Sequence, residues 1–180
     1  SFDTVAIVAR RHSDAIIASI NAVEALMRRH GVDVLFGAQT LVAMEKHDPS
    51  GIERAAVADQ EMGDRADLVV VVGGDGSLLG FGREMAVRGI PVVGVNRGGL
   101  GFLAAISPEQ IEAKFSEILE GQFTIEEHFL LQASVLREGQ VIAQQRALND
   151  VVVSPGGVMG MMEFALWLDD EYVYDQRSDG

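Results

Sequence analysis

One carboxylate set among glycines, Gly73-Gly74-Asp75-Gly76-Ser77, follows the apolar run Leu68-Val69-Val70-Val71-Val72 and precedes a helix-like stretch. A buried strand that ends this way delivers an acid to a sheet edge beside bare backbone amides, because glycine places no Cβ over them. Phosphate oxygens can then approach main-chain N–H groups at the start of a helix, and Asp75 can take a proton or help to hold Mg2+. The same five residues also suit an ordinary tight strand-to-helix turn. A second glycine cluster, Asn96-Arg97-Gly98-Gly99-Leu100-Gly101-Phe102-Leu103, follows the strand-like run Pro91-Val92-Val93-Gly94-Val95. Ligands of open α/β sheets sit beyond the carboxyl ends of the strands, so two such loops in one sheet point to a nucleotide site. The common nucleotide fingerprints are missing. No Gly-x-x-x-x-Gly-Lys-Ser/Thr occurs, and Gly74-Asp75-Gly76-Ser77-Leu78-Leu79 lacks the third glycine of the dinucleotide pattern.

The elements that must position these loops alternate between strand and helix. Residues 4–9 read as a strand, and Ser13 caps a helix whose Ile16, Ile20, Val23 and Met27 share one face. Arg28, Arg29 and His30 complement the dipole at its end, and Gly31 stops it. Residues 32–36 form a second predicted strand. The polar stretch that follows, up to Asp67, is expected to hold one short helix near residues 53–62. Residues 68–72 are the third strand, 77–88 the next helix and 91–95 the fourth strand. Ser107-Pro108-Glu109-Gln110 combines an N-cap, a proline in the first turn and a capping-box glutamine ahead of the stripe Ile111, Phe115, Ile118, Leu119. After Gly121 the pattern changes to successive strands over residues 128–136, 141–153, 162–168 and 172–176, with turns at 137–140 and 169–171. The fold class expected is therefore a parallel α/β domain over residues 1–121, followed over 122–180 by the beginning of a β-rich domain.

Bulk properties exclude several functions. The chain has 180 residues, 48% of them hydrophobic, which is enough for a substantial core. Its formal charge of -13 opposes attraction to nucleic acid or to an anionic membrane, and no apolar run approaches the roughly 20 residues that span a bilayer. With no cysteine, disulfides and thiolate metal sites are absent, which fits a reducing cytoplasm. His12, His30, His47 and His128 show no pairing of the kind metal sites use, and no protein metal site is expected. No Gly-x-Ser-x-Gly elbow occurs, against a serine hydrolase. Met159, Met161 and Met162 beside Phe164 suit a packed sheet or a subunit contact. The ending Arg177-Ser178-Asp179-Gly180 has no tail character and reads as an interruption, so the chain is expected to be a fragment.

The strand-GGDGS loop resembles the loop shared by NAD kinases, diacylglycerol-type lipid kinases and phosphofructokinases. Among these, Gly94-Val95-Asn96-Arg97-Gly98-Gly99-Leu100-Gly101-Phe102-Leu103 and Ala147-Leu148-Asn149-Asp150-Val151-Val152-Val153 resemble the second glycine motif and the Asn-Glu/Asp motif of bacterial NAD kinases. The resemblance covers essentially the whole chain. It implies an enzyme that uses ATP, with Mg2+ or another divalent cation, to phosphorylate the adenosine-ribose 2'-hydroxyl of NAD, giving NADP. Asp75 then corresponds to the proton acceptor, Gly74 and Gly76 lie against the ligand, and Phe102 forms an apolar wall for a base. Asn149 and Asp150 grip the dinucleotide, and Arg177 and Asp179 match the Arg-x-Asp-Gly that contributes to its site. The family forms homodimers and homotetramers. Ser77 replaces a more usual threonine, Gly80 stands where many members carry a basic residue, and Gly157 and Gly160 replace lysine and histidine of some relatives. The family's downstream Ser/Thr-rich nucleotide segment is expected just past Gly180, so residues 1–180 alone are expected to be poorly active. The alternatives are a lipid kinase with the same loop and a regulator that binds NAD or NADP without turnover.

Overall fold

The computed structural model describes residues 2–47, 52–98, 103, 106–155 and 160–180. The chain divides into two compact units, residues 1–130 and 131–180.

The first unit is built on a parallel sheet of five strands: β1 (Thr4–Val8), β2 (Asp33–Gly37), β3 (Ala55–Val57), β4 (Leu68–Gly73) and β5 (Val92–Asn96). Their order across the sheet is β3-β2-β1-β4-β5. The crossovers carry α1 (Asp14–Arg29), α2 (Ala38–His47), α3 (Met62–Arg65) and α4 (Asp75–Ala86), and α5 (Ile111–Leu119) follows β5. Because both faces are covered, β4 is buried along its whole length, which is why its sequence is a valine run with no alternation.

Alternate strand residues feed two cores. On one face Val5, Ile7, Phe36 and Val70 pack with Ile20 and Met27 of α1 and Phe115 of α5. On the other, Ala6, Val8, Val69 and Val71 pack with Met62 of α3 and with Phe81 and Met85 of α4. Helices α1 and α4 thus lie on opposite faces. Each fully buried side chain of this size contributes roughly 1.5–3 kcal/mol.

The expected cap of α1 is present, with the Ile16 amide donating to Ser13 Oγ at 3.4 Å. So is the capping box of residues 107–110, which opens a 3-10 turn (Pro108–Gln110) leading into α5. Four expectations need correction. Helix α2 starts directly after β2, with no turn residue to announce it, and its buried face is Thr40, Ala43 and Met44 rather than an aliphatic stripe. The helix expected near 53–62 is instead strand β3, a 3-10 turn (Asp59–Glu61) and the short α3. Ala55 and Ala56 favour helix by propensity, but pairing with Leu35 and Phe36 at the sheet edge overrides it. Helix α4 begins at Asp75, two residues earlier than read, with Gly74 as its N-cap. Finally, the long strand 141–153 stops at Ala147.

The second unit consists of two antiparallel hairpins, β6 (Leu131–Arg137) with β7 (Gln140–Ala147) and β8 (Met162–Leu168) with β9 (Glu171–Ser178). The change from parallel α/β to antiparallel β structure is thus as expected. Ala147 pairs with Leu131, the first residue of β6, so the ladder of β7 ends where its partner runs out. The two turns place Glu138 and Gly139, and Asp169 and Asp170, at positive φ. Among the described residues of this unit none is buried, and Leu136, Trp167, Leu168 and Val173 are exposed.

Candidate functional site

The strand order reverses between β1 and β4, with β2 and β3 to one side and β5 to the other. At such a switch point the loops that leave two neighbouring strands run to opposite faces and open a crevice beyond their carboxyl ends. There Gly73-Gly74-Asp75-Gly76-Ser77 spans the last residue of β4, the Gly74 N-cap and the first turn of α4.

The amides of Ser77 and Leu78 both donate to the Gly74 carbonyl, at 3.0 and 3.2 Å, which closes the first turn of α4. The amides of Asp75 and Gly76 precede these bonds. Acidic Asp75 in the first turn also suits the helix dipole. Around Gly76 a Cβ would meet nothing within 4 Å, so this backbone is open to a ligand. Ser77 folds back over Gly73, where a Cβ would lie 2.9 Å from its Oγ.

The second glycine loop is held against the first. The Arg97 amide donates to the Gly73 carbonyl at 2.8 Å, continuing the β4–β5 ladder past its last pair. Asn96 Oδ1 accepts from the Gly98 amide at 2.9 Å, a local turn that brings Gly98 onto Gly74. A Cβ on Gly98 would stand 2.9 Å from the Gly74 Cα, closer than real Cβ contacts come. Across this junction the Leu103 amide donates to Asp75 Oδ1 at 3.2 Å. Arg97 is tied down from the other side, its Nε donating to the buried Ser19 Oγ of α1 at 2.7 Å. The chain then returns to the sheet at Ile106, which bridges Val95 in parallel.

The structure therefore brings Gly74, half-buried Asp75 and exposed Gly76 together with Asn96, Arg97, Gly98 and Leu103. Phe102 lies outside the described residues, as do Gly157 and Met159. Asn149 and Asp150 are exposed, in the bend after β7. Arg177 is exposed on β9 opposite Glu163 and lines a concavity of about 440 Å³ together with Phe164 and Asp175. Asp179 follows β9 and accepts from Ser178 Oγ at 3.3 Å. Gly180 returns to the segment after Asn149 and Asp150, where a Cβ would lie 2.9 Å from the Val153 carbonyl oxygen. A further concavity, about 460 Å³, opens at the amino ends of β1, β2 and β3 beside Thr4, Asp33 and Ala55. It is lined by none of the candidate site residues and lies at the end of the sheet away from the glycine loops.

Sequence reasoning did not assign roles to Arg97, Ser19 and Gly98 individually. Arg97 and Gly98 carried a signal, being inside the second glycine motif. Ser19 carried none, since its partner is 78 residues away.

The fold and the paired loops define a class: a parallel α/β domain with a glycine-lined carboxyl edge at its switch point. Within it, the family model of the ATP-NAD kinase N-terminal domain matches residues 5–123. The chain belongs to this family. It is 41% identical over 180 residues to the NAD kinase of Teredinibacter turnerae, covering all of this chain and 60% of that protein. It is likewise 41% identical over 179 residues to the NAD kinase of Cellvibrio japonicus, and 50% identical over 119 residues to that of Ectopseudomonas mendocina. The chain spans about 60% of the length of the first two relatives. The crystal structure of yeast NADH kinase complexed with NADH superposes with a TM-score of 0.83 at 17% identity, over 98% of this chain and 55% of that one. At that identity the match establishes the fold.

Proposed function

We propose that the complete protein is an NAD kinase, transferring the γ-phosphoryl group of ATP to the adenosine-ribose 2'-hydroxyl of NAD. The observation that carries this reading is the junction of the two glycine loops, with one carboxylate, Asp75, oriented by the Leu103 amide at the carboxyl edge of an ATP-NAD kinase domain. Family membership favours this acceptor over the lipid substrate of kinases that share the loop.

A ribose hydroxyl is a weak acid, so the site must remove its proton and hold it in line with the phosphorus. In the proposed step the 2'-oxygen forms a bond to the γ-phosphorus, the bond to the β,γ-bridging oxygen breaks, ADP leaves and Asp75 receives the hydroxyl proton. The open backbone at Gly76, in the first turn of the helix, is suited to phosphate oxygens. Asn149, Asp150, Arg177 and Asp179 are assigned to the dinucleotide, and Phe102 to one of its bases.

Among the described residues no group of three His, Cys, Asp or Glu side chains is placed to hold a metal. A single carboxylate beside a phosphate site fits an ion such as Mg2+ that arrives on the nucleotide, since Mg2+ is bound by one or two carboxylates, phosphates and water. Bound there, it supplies neutralisation of phosphate charge. No helix among the described residues is long and apolar enough to cross a membrane. The proposal includes a cytoplasmic homodimer or homotetramer, as in the family, with ATP and NAD as ligands.

The test is NADP formation by the complete protein with ATP, MgCl2 and NAD, compared with the Asp75→Asn variant. Turnover is expected to fall by roughly 10²–10⁴-fold in the variant, while NAD binding changes little. Unchanged turnover would remove Asp75 from the chemistry. NAD binding without turnover in the unsubstituted protein would indicate a regulator instead.

A further inference from the structure

The switch-point crevice has a second wall that sequence motifs do not mark. Strands β1 and β4 are paired with Val8 opposite Val71, so the chain leaving β1 through Ala9 and Arg10 emerges level with Gly73 on its neighbour. Arg10 then turns across to α4. Its guanidinium lies on the helix backbone at Gly80, where a Cβ would be 2.5 Å from Cζ and 2.9 Å from one terminal nitrogen. It also stacks on Phe81, 5.2 Å from the ring centroid. Only glycine at position 80 leaves room for this seat.

A glycine in a helix interior is less stable than alanine, so a glycine here is compatible with a cost in helix stability. Gly76 and Gly80 are one turn apart on the same face of α4, about 6 Å along its axis. The cation, seated at Gly80, therefore lies about one helical turn from the open backbone at Gly76. Among the described residues the charged group facing Arg10 is Glu84, at 3.7 Å, with side chains 48% and 39% exposed. That pair is longer than a hydrogen bond and screened by water, which leaves guanidinium donors for an anion.

Resting on the kinase reading above, we infer that Arg10 is a further substrate-binding residue, seated by Gly80 to donate to a phosphate oxygen of ATP. Its fork of N–H groups suits phosphate better than a lysine does.

The experiment uses the complete protein and measures KM separately for ATP and NAD. Arg10→Ala is expected to raise the KM for ATP about ten- to a hundredfold and to leave that for NAD nearly unchanged. Arg10→Lys should recover part of the loss. Gly80→Ala is the sharper variant, because the new methyl displaces the guanidinium: Tm should hold or rise while the KM for ATP increases. Adding Gly80→Ala to Arg10→Ala should then have no further effect on that KM. An unchanged KM for ATP in Arg10→Ala, or additive losses in the double variant, overturns the inference. If the unsubstituted protein makes no NADP, the kinase reading fails on its own. Calorimetric titration with Mg·ATP then decides Arg10: weaker binding by Arg10→Ala upholds it, and equal binding overturns it.

Discussion

Asp75 shows how one residue acquires direction. A carboxylate at the tip of a glycine loop could point anywhere, but the Leu103 amide holds one oxygen and the first turn of α4 fixes the backbone. Asp67 serves the fold in a comparable way at the opposite end of β4. Its Oδ2 accepts from the amides of Thr4 and Asp3, each at 2.9 Å, and these bonds, Thr4 first, hold its carboxyl below the ordinary value. A carboxyl with a lowered folded pKa stabilises the fold above its unfolded pKa, and the contribution is lost as pH falls through the lowered value. Asp67→Asn is therefore expected to lower Tm by about 1–3 °C at pH 7, with the difference closing as the carboxyl protonates in acid. Thermal melts from pH 7 to 3 decide it; a difference constant over that range would mean the charge plays no part. Asp67 had no sequence signature, because an acid before a strand is common and its two partners lie more than 60 residues away.

At the scale of elements, the site depends on how closely two loops approach. The contact is asymmetric: a Cβ on Gly98 would meet the Gly74 Cα at 2.9 Å, whereas one on Gly74 would meet the Gly98 Cα at an ordinary 3.5 Å. Gly98→Ala is expected to cost roughly 1–3 kcal/mol in stability and Gly74→Ala less, as measured by denaturant unfolding. Equal losses would show that the steric asymmetry is not felt. Elements with a strong local signature were legible: the valine run of β4, the Ser13 cap with its apolar stripe, and the capping box before α5. Those governed by partners were not. Helix α2 buries Thr40, whose Oγ1 accepts from the Ala9 amide at 2.9 Å and donates to the Ala9 carbonyl at 3.3 Å, a polar anchor no hydrophobic period reveals. Strand β3 exists through its pairing with β2, and β7 ends where β6 begins.

For the whole molecule, both buried cores lie within residues 1–130, while the hairpins of residues 131–180 bury no described side chain. Isolated two-stranded hairpins are marginal in water. A chain cut after Leu130 is thus expected to unfold cooperatively in a thermal melt followed by circular dichroism, and residues 131–180 alone to show no transition. Loss of cooperativity in the shorter chain would mean that its core needs the hairpins. By itself the sequence determined the parallel α/β class, the turn to antiparallel strands, the two glycine loops and the family. These follow from local hydrophobic period, glycine and proline placement and short motifs, all written within a few residues. Tertiary structure decided that the strand order reverses between β1 and β4, that Gly98 rests on Gly74, that Ser19 holds Arg97 and that Arg10 packs against Gly80. Such contacts join residues as many as 78 positions apart through sheet register and helix packing, and local patterns carry no record of them.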